Sequence, residues 1–115
     1  MKSYTDLEQS KRLAEILPLE SADMHYATWT ILDNEFIVSP NQGSTIESLQ
    51  EDYGNQIIPC WSLVALLDIL PSSTLDSSNG HYYRLHCVER FTEWYNNPID
   101  ATFEMVLKLH EQNIL

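Results

Sequence analysis

Twelve residues, Cys60-Trp61-Ser62-Leu63-Val64-Ala65-Leu66-Leu67-Asp68-Ile69-Leu70-Pro71, constrain the fold of this chain more than any other segment. Only Ser62 and Asp68 interrupt the apolar run. Its length and its Leu/Ala content favour helix over strand, and Pro59 and Pro71 suit a helix start and stop. The apolar surface of such a helix runs nearly all round. The reading therefore predicts a wholly enclosed helix near 61–70, at the centre of the domain. Truncating either Leu66 or Leu67 is then expected to be costly.

The rest of the chain supplies elements to surround it. Thr5-Asp6-Leu7-Glu8 reads as a capping box for a first helix over about 6–17, with Leu7, Leu13, Ala14, Ile16 and Leu17 as its apolar face and Pro18 as its stop. From Tyr26 to Val38 the pattern has period two, which predicts a hairpin turning at Asp33-Asn34. Thr45-Ile46-Glu47-Ser48 reads as a second capping box, opening a short acidic helix through Tyr53. His81 to Val88 is aromatic and β-branched, so it reads as a strand. Thr74-Leu75 is predicted to pair with it across Asn79-Gly80, and Phe91 to Tyr95 to return beside it after Glu89-Arg90. Asn97 as N-cap, Pro98 at the first helical position and Asp100 open a final helix with Ile99, Phe103, Val106, Leu109 and His110 on one face, widened by Met105 and Leu107. The predicted order is α-β-β-(α)-α-β-β-β-α. This is an α+β fold of one domain over residues 1–115, with three main helices packed on a small antiparallel sheet.

Charge narrows function. From Leu13 to Tyr83 the chain has no Lys or Arg but ten carboxylates, within a net charge of −11. Such a field repels phosphate and anionic lipid and attracts basic partners, so neither nucleic acid nor membrane is an expected ligand. With 43% apolar residues and twelve aromatics the chain is globular rather than disordered. Its start lacks the apolar run of an export signal, and no stretch approaches the roughly 18 residues of a membrane span. A cytoplasmic location is the expectation. Cys60 and Cys87 are read as reduced, buried thiols.

Chemical motifs are scarce. His25, His81, His86 and His110 follow no zinc-ligand spacing, and Asp76-Ser77-Ser78-Asn79-Gly80 has its glycine at position five, so it reads as a hairpin turn rather than a calcium loop. Three glycines leave no room for phosphate-cradling or dinucleotide motifs. Cys60 at a helix N-terminus would have a lowered pKa, but no pattern ties a base to it. Tyr82, Tyr83, Trp94 and Tyr95 suggest a base-stacking platform, but with only Arg84 and Arg90 nearby they read better as core or dimer-contact aromatics.

Two segments carry a resemblance. Ile58-Pro59-Cys60-Trp61-Ser62-Leu63 with Ala65-Leu66-Leu67 and Leu70-Pro71 is one, and Tyr95-Asn96-Asn97-Pro98-Ile99-Asp100-Ala101 with Glu104-Met105-Val106 is the other. With a weaker match at Leu19-Glu20-Ser21-Ala22-Asp23-Met24, they resemble a family of small uncharacterised proteins of gut-bacterial genomes and their phages or mobile elements. The segment 33–57 departs from it. The resemblance implies a bacterial or phage setting and carries over no activity, cofactor or catalytic residue.

The expectation is a small acidic accessory protein, non-catalytic, acting through protein–protein contact as a monomer or homodimer. No catalytic, cofactor-binding or metal residue is assigned. Glu47, Glu51 and Asp52 on the acidic helix are the candidate partner-binding residues. The alternatives are a small enzyme using Cys60 or a histidine, and an inhibitor that mimics nucleic acid before a DNA-binding protein.

Overall fold

The computed structural model describes residues 2–27, 36–53 and 57–115, with Tyr53 described by its backbone alone. The architecture is α+β, with four α-helices and two antiparallel sheets of three strands each. The antiparallel strands are thus divided between two sheets instead of gathered in one. The chain forms two compact units: Asp6–Ser62, and Met1–Thr5 together with Leu63–Leu115.

In the Asp6–Ser62 unit, α1 spans Leu7–Ala14. Its capping box is Asp6/Gln9, one residue later than Thr5/Glu8. Asp6 Oδ1 accepts the Gln9 N–H at 2.8 Å, and Gln9 Oε1 accepts the Asp6 N–H at 3.1 Å. The reason is burial: Thr5 is enclosed, while Asp6 is exposed and turns back on the first helical turn. The helix also ends earlier than predicted, tightening beyond Ala14 through Ile16 and Leu17 N–H groups that both donate to the Leu13 carbonyl.

Strand β1 (Met24–Ala27) lies between β2 (Ile37–Pro40) and β3 (Ile57–Cys60). Tyr26 pairs with Val38 on one side and Ile58 on the other, so the predicted return of the chain after Tyr26 is observed. The turn assigned to Asp33-Asn34, and the pattern through Thr28, Trp29, Thr30, Ile31 and Leu32, lie outside the described residues. Strand β3 was not predicted, because Pro59 read as a helix flank. An edge position explains it: proline lacks the N–H that a central strand must donate, and β3 is the outer strand. Helix α2 spans Ile46–Tyr53 as predicted, and Thr45 Oγ1 accepts the Ser48 N–H at 3.0 Å. Both α1 and α2 pack on β3.

In the other unit, α3 covers Leu63–Ile69, seven residues of the apolar run. It is a helix, but it is not enclosed: Val64 is 69% exposed, Asp68 is exposed, and Leu67 is only half-buried, while Ala65, Leu66 and Leu70 are buried. One side suffices to anchor so short a helix, which packs against α4 (Pro98–Glu111). Cys60 and Trp61 precede the helix, Cys60 as the last residue of β3, so Cys60 does not open α3 as the sequence suggests.

Strands β4 (Ser73–Ser78) and β5 (Tyr82–Cys87) form the predicted hairpin, with Thr74 opposite His86 and Leu75 opposite Leu85. Asn79 and Gly80 both take positive φ, and His81 N–H donates to the Ser78 carbonyl at 3.0 Å, the chemistry of an Asn-Gly turn. Strand β6 is Arg90–Phe91, reached through Val88 and Glu89, both at positive φ, one residue before the predicted Glu89-Arg90 turn. Helix α4 starts as predicted, with Asn97 Oδ1 accepting the Asp100 N–H at 2.9 Å. Its buried face is Ile99, Ala101, Thr102, Met105, Val106 and Leu109. Phe103 and Leu107 are half-buried and His110 is exposed, which corrects the predicted face. Helix α4 packs against β5 as well as α3. Among the described residues no helix is long and apolar enough to cross a membrane.

Candidate functional site: an aromatic sheet face

Alternation along β5 sorts its side chains. Leu85 and Cys87 are buried on the side that α4 covers, so Tyr82, Arg84 and His86 belong to the other face. The register adds Thr74, Asp76 and Ser78 from β4 and Phe91 from β6 to that same face. Trp94 joins through a bulge. Thr92 N–H donates to the Leu85 carbonyl at 3.0 Å, and Tyr83 and Tyr95 exchange bonds of 2.7 and 2.8 Å. Arg84 thus faces two residues, Glu93 and Trp94. Thr92 Oγ1 accepts the Leu85 N–H at 2.9 Å, holding the strand where the ladder is broken.

The result is a stack. The His86 and Phe91 rings lie 4.2 Å apart and within 6° of parallel. The Arg84 guanidinium sits 4.4 Å from the Phe91 centroid and 4.6 Å from that of Trp94, and Arg84 Nη2 donates to Asp76 Oδ2 at 3.2 Å. Each ring contact contributes about 0.5–1 kcal/mol at an exposed site. The Arg84 Nε–H is shielded from solvent and has no acceptor among the described residues. The rings nevertheless remain open to solvent: Tyr82 is 55% exposed, Phe91 47% and Trp94 44%. Neighbouring Val88, Glu89 and Glu93 are exposed too. Reading Tyr82 and Trp94 as core aromatics is therefore corrected; Tyr83 and Tyr95 are the half-buried pair.

The residues singled out from the sequence are placed as follows. Glu47, Glu51 and Asp52 are exposed on α2, and among the described residues no ion pair involves them. Three carboxylates on a solvated helix do not make a site by themselves. Cys60 is wholly buried and pairs with Met24, while His25 is the next residue along β1, so the two side chains belong to opposite faces of the first sheet. His25 Nδ1 instead lies 2.8 Å from Asn41 Oδ1, and Asn41 Nδ2 donates to the Ala22 carbonyl at 2.9 Å. Among the described residues no three His, Cys, Asp or Glu groups are gathered as a metal site. His81 lines an open polar cleft of about 480 Å³ with Lys2, Gly80, Tyr83, Asn96 and Asn97. Lys2 is bound to Asp100 at 2.9 Å and Asn97 caps α4, so the polar groups there already have structural duties. The cleft has little of the apolar wall that a small-molecule site offers.

Cys87 and Tyr95 titrate away from their ordinary values. Burial pushes the Cys87 thiol above its ordinary 9.0, with Arg90 partly offsetting the shift. Burial, and then the negative charge of the Glu104 carboxylate, push the Tyr95 phenol above its ordinary 10.0. Both groups are neutral when protonated, so the native state holds these protons more tightly than the unfolded chain. Their contribution to stability is complete below pH 9.0 and is lost as pH rises through the native values. The thermal midpoint is therefore expected to fall on the alkaline side. Tyr95→Phe, which removes one of the two groups, should flatten that fall in a pH series of melting curves.

Comparison with protein-family models, with curated proteins and with solved structures finds no match.

Proposed function

We propose that this protein is a non-catalytic accessory module that works by protein–protein contact, with the outward face of β4–β6 as its docking surface and a cationic protein surface as its partner. The observation that supports this reading is the solvent-open group Tyr82, Phe91 and Trp94, fixed around Arg84. Rigid aromatic and arginine side chains are the types that dominate binding energy at interfaces, and here they are ordered before any partner arrives. The partner's sign comes from the chain's −11 net charge, which steers basic surfaces towards it. On this reading Glu47, Glu51 and Asp52 contribute to that long-range field. The ten carboxylates between Leu13 and Tyr83 are scattered along the chain and give no duplex-like row, which weighs against nucleic-acid mimicry.

The test is a pull-down with the full chain at low and raised salt, beside a Phe91→Ala/Trp94→Ala double variant. A partner held through this face should be weakened by about 2 kcal/mol or more in the double variant, roughly thirty-fold. It should also be held less well as salt rises. Equal retention by the double variant, or retention indifferent to salt, would count against the proposal.

A further inference from the structure

We propose that β4 pairs edge to edge with β4 of a second copy of this chain, joining two three-stranded sheets into one of six strands about a two-fold axis. This goes beyond the aromatic face and rests on different atoms. Strand β4 is an outer strand in the order β4-β5-β6. On the far side of β5, Tyr83 and Leu85 exchange hydrogen bonds with Tyr95 and Thr92. Antiparallel ladders alternate, so Tyr82, Arg84 and His86 turn their backbone groups towards β4, where they meet Ser78, Asp76 and Thr74. Ser73, Leu75 and Ser77 consequently aim their N–H and C=O groups away from β5. Among the described residues no backbone hydrogen bond reaches those outward groups.

The edge also lacks the usual defences. Ser73-Thr74-Leu75-Asp76-Ser77-Ser78 contains no Lys, no Pro and one charge, and that charge is already held by Arg84 at 3.2 Å. The register is self-complementary. The outward groups of one strand meet those of the other when Leu75 faces Leu75 of the second copy, which sets Ser73 opposite Ser77 and Thr74 opposite Asp76. A hydroxyl then donates to the carboxylate on each side of the axis. A slip of two residues one way sets Asp76 opposite Asp76, and the other way sets Leu75 opposite Ser73 and shortens the ladder, so the central register is preferred. Two chains of net charge −11 repel at long range, so salt should strengthen this pairing.

The test is light scattering of the full chain over a concentration and salt series, with two variants. Leu75 is the residue that faces itself, at a Cα separation of about 5.5 Å, within the roughly 4.4–6.8 Å that a disulfide spans. Leu75→Cys should therefore give an oxidised dimer on a non-reducing gel, whereas the wild type, whose Cys60 and Cys87 are buried, should not. Leu75→Pro deletes an outward N–H that β5 does not use, and should remove the dimer while leaving the hairpin. The expected result is a mass that rises towards twice 13.3 kDa with concentration and salt, and is lost in Leu75→Pro. A single-chain mass under every condition, or a dimer in which Leu75→Cys does not cross-link, would overturn the proposal. Should Leu75→Pro fail to fold by circular dichroism, the cross-link alone decides.

Discussion

Trp61→Ala is expected to destabilise this protein by about 3–5 kcal/mol, read as a lowered denaturant midpoint in equilibrium unfolding. Among the described residues Trp61 is the largest of the fully buried side chains, and it follows directly on β3 in the chain. Its removal exposes the walls of a large void, and neighbouring side chains at native packing density collapse into such voids only in part. It also carries a polar duty, since the indole N–H donates to Ser21 Oγ at 2.9 Å, on the 3-10 turn Leu19–Ser21 that precedes β1. Trp61→Phe keeps most of the apolar volume and loses that donor, so its cost should fall well below that of alanine. If the two substitutions cost the same, packing around the indole is not what holds this segment.

The second large effect is a contrast within α3. Leu66→Ala should cost about 2–5 kcal/mol, whereas Val64→Ala, two residues earlier on the same helix, should change stability by no more than about 0.5 kcal/mol. Leu66 is fully enclosed and Val64 is 69% exposed. Leu67, half-buried, should lie between them. Comparable losses at positions 64 and 66 would restore the fully enclosed helix that the run's composition suggests and overturn its one-sided burial.

That contrast also marks how far sequence reasoning reaches. The sequence groups Tyr82, Tyr83, Trp94 and Tyr95 as aromatics near Arg84 and Arg90, but it does not say which of them share a face. Phe91 reaches the Arg84 face only because a two-residue strand pairs His86 with Phe91, and Trp94 only because the chain bulges opposite Arg84. Strand pairing between segments and a one-residue bulge are set by competition among many weak contacts, and single-strand periodicity does not encode them. Glu47, Glu51 and Asp52 show the converse: their helix and their exposure were legible, but exposure gives charge a field rather than a site.

What the sequence by itself determined was local: the Asn97-Pro98 start of α4, the Asn79-Gly80 turn, the helical state of 63–69 and the acidic balance of the chain. Each follows from backbone chemistry or charge within a few residues, so neighbours in space have little say. What only the tertiary structure decided was which apolar residues are covered and which strands are joined. An apolar run states that burial is favourable, but the area left to cover it depends on every other element. In this chain that area covers Leu66 and leaves Val64, Phe91 and Trp94 facing water.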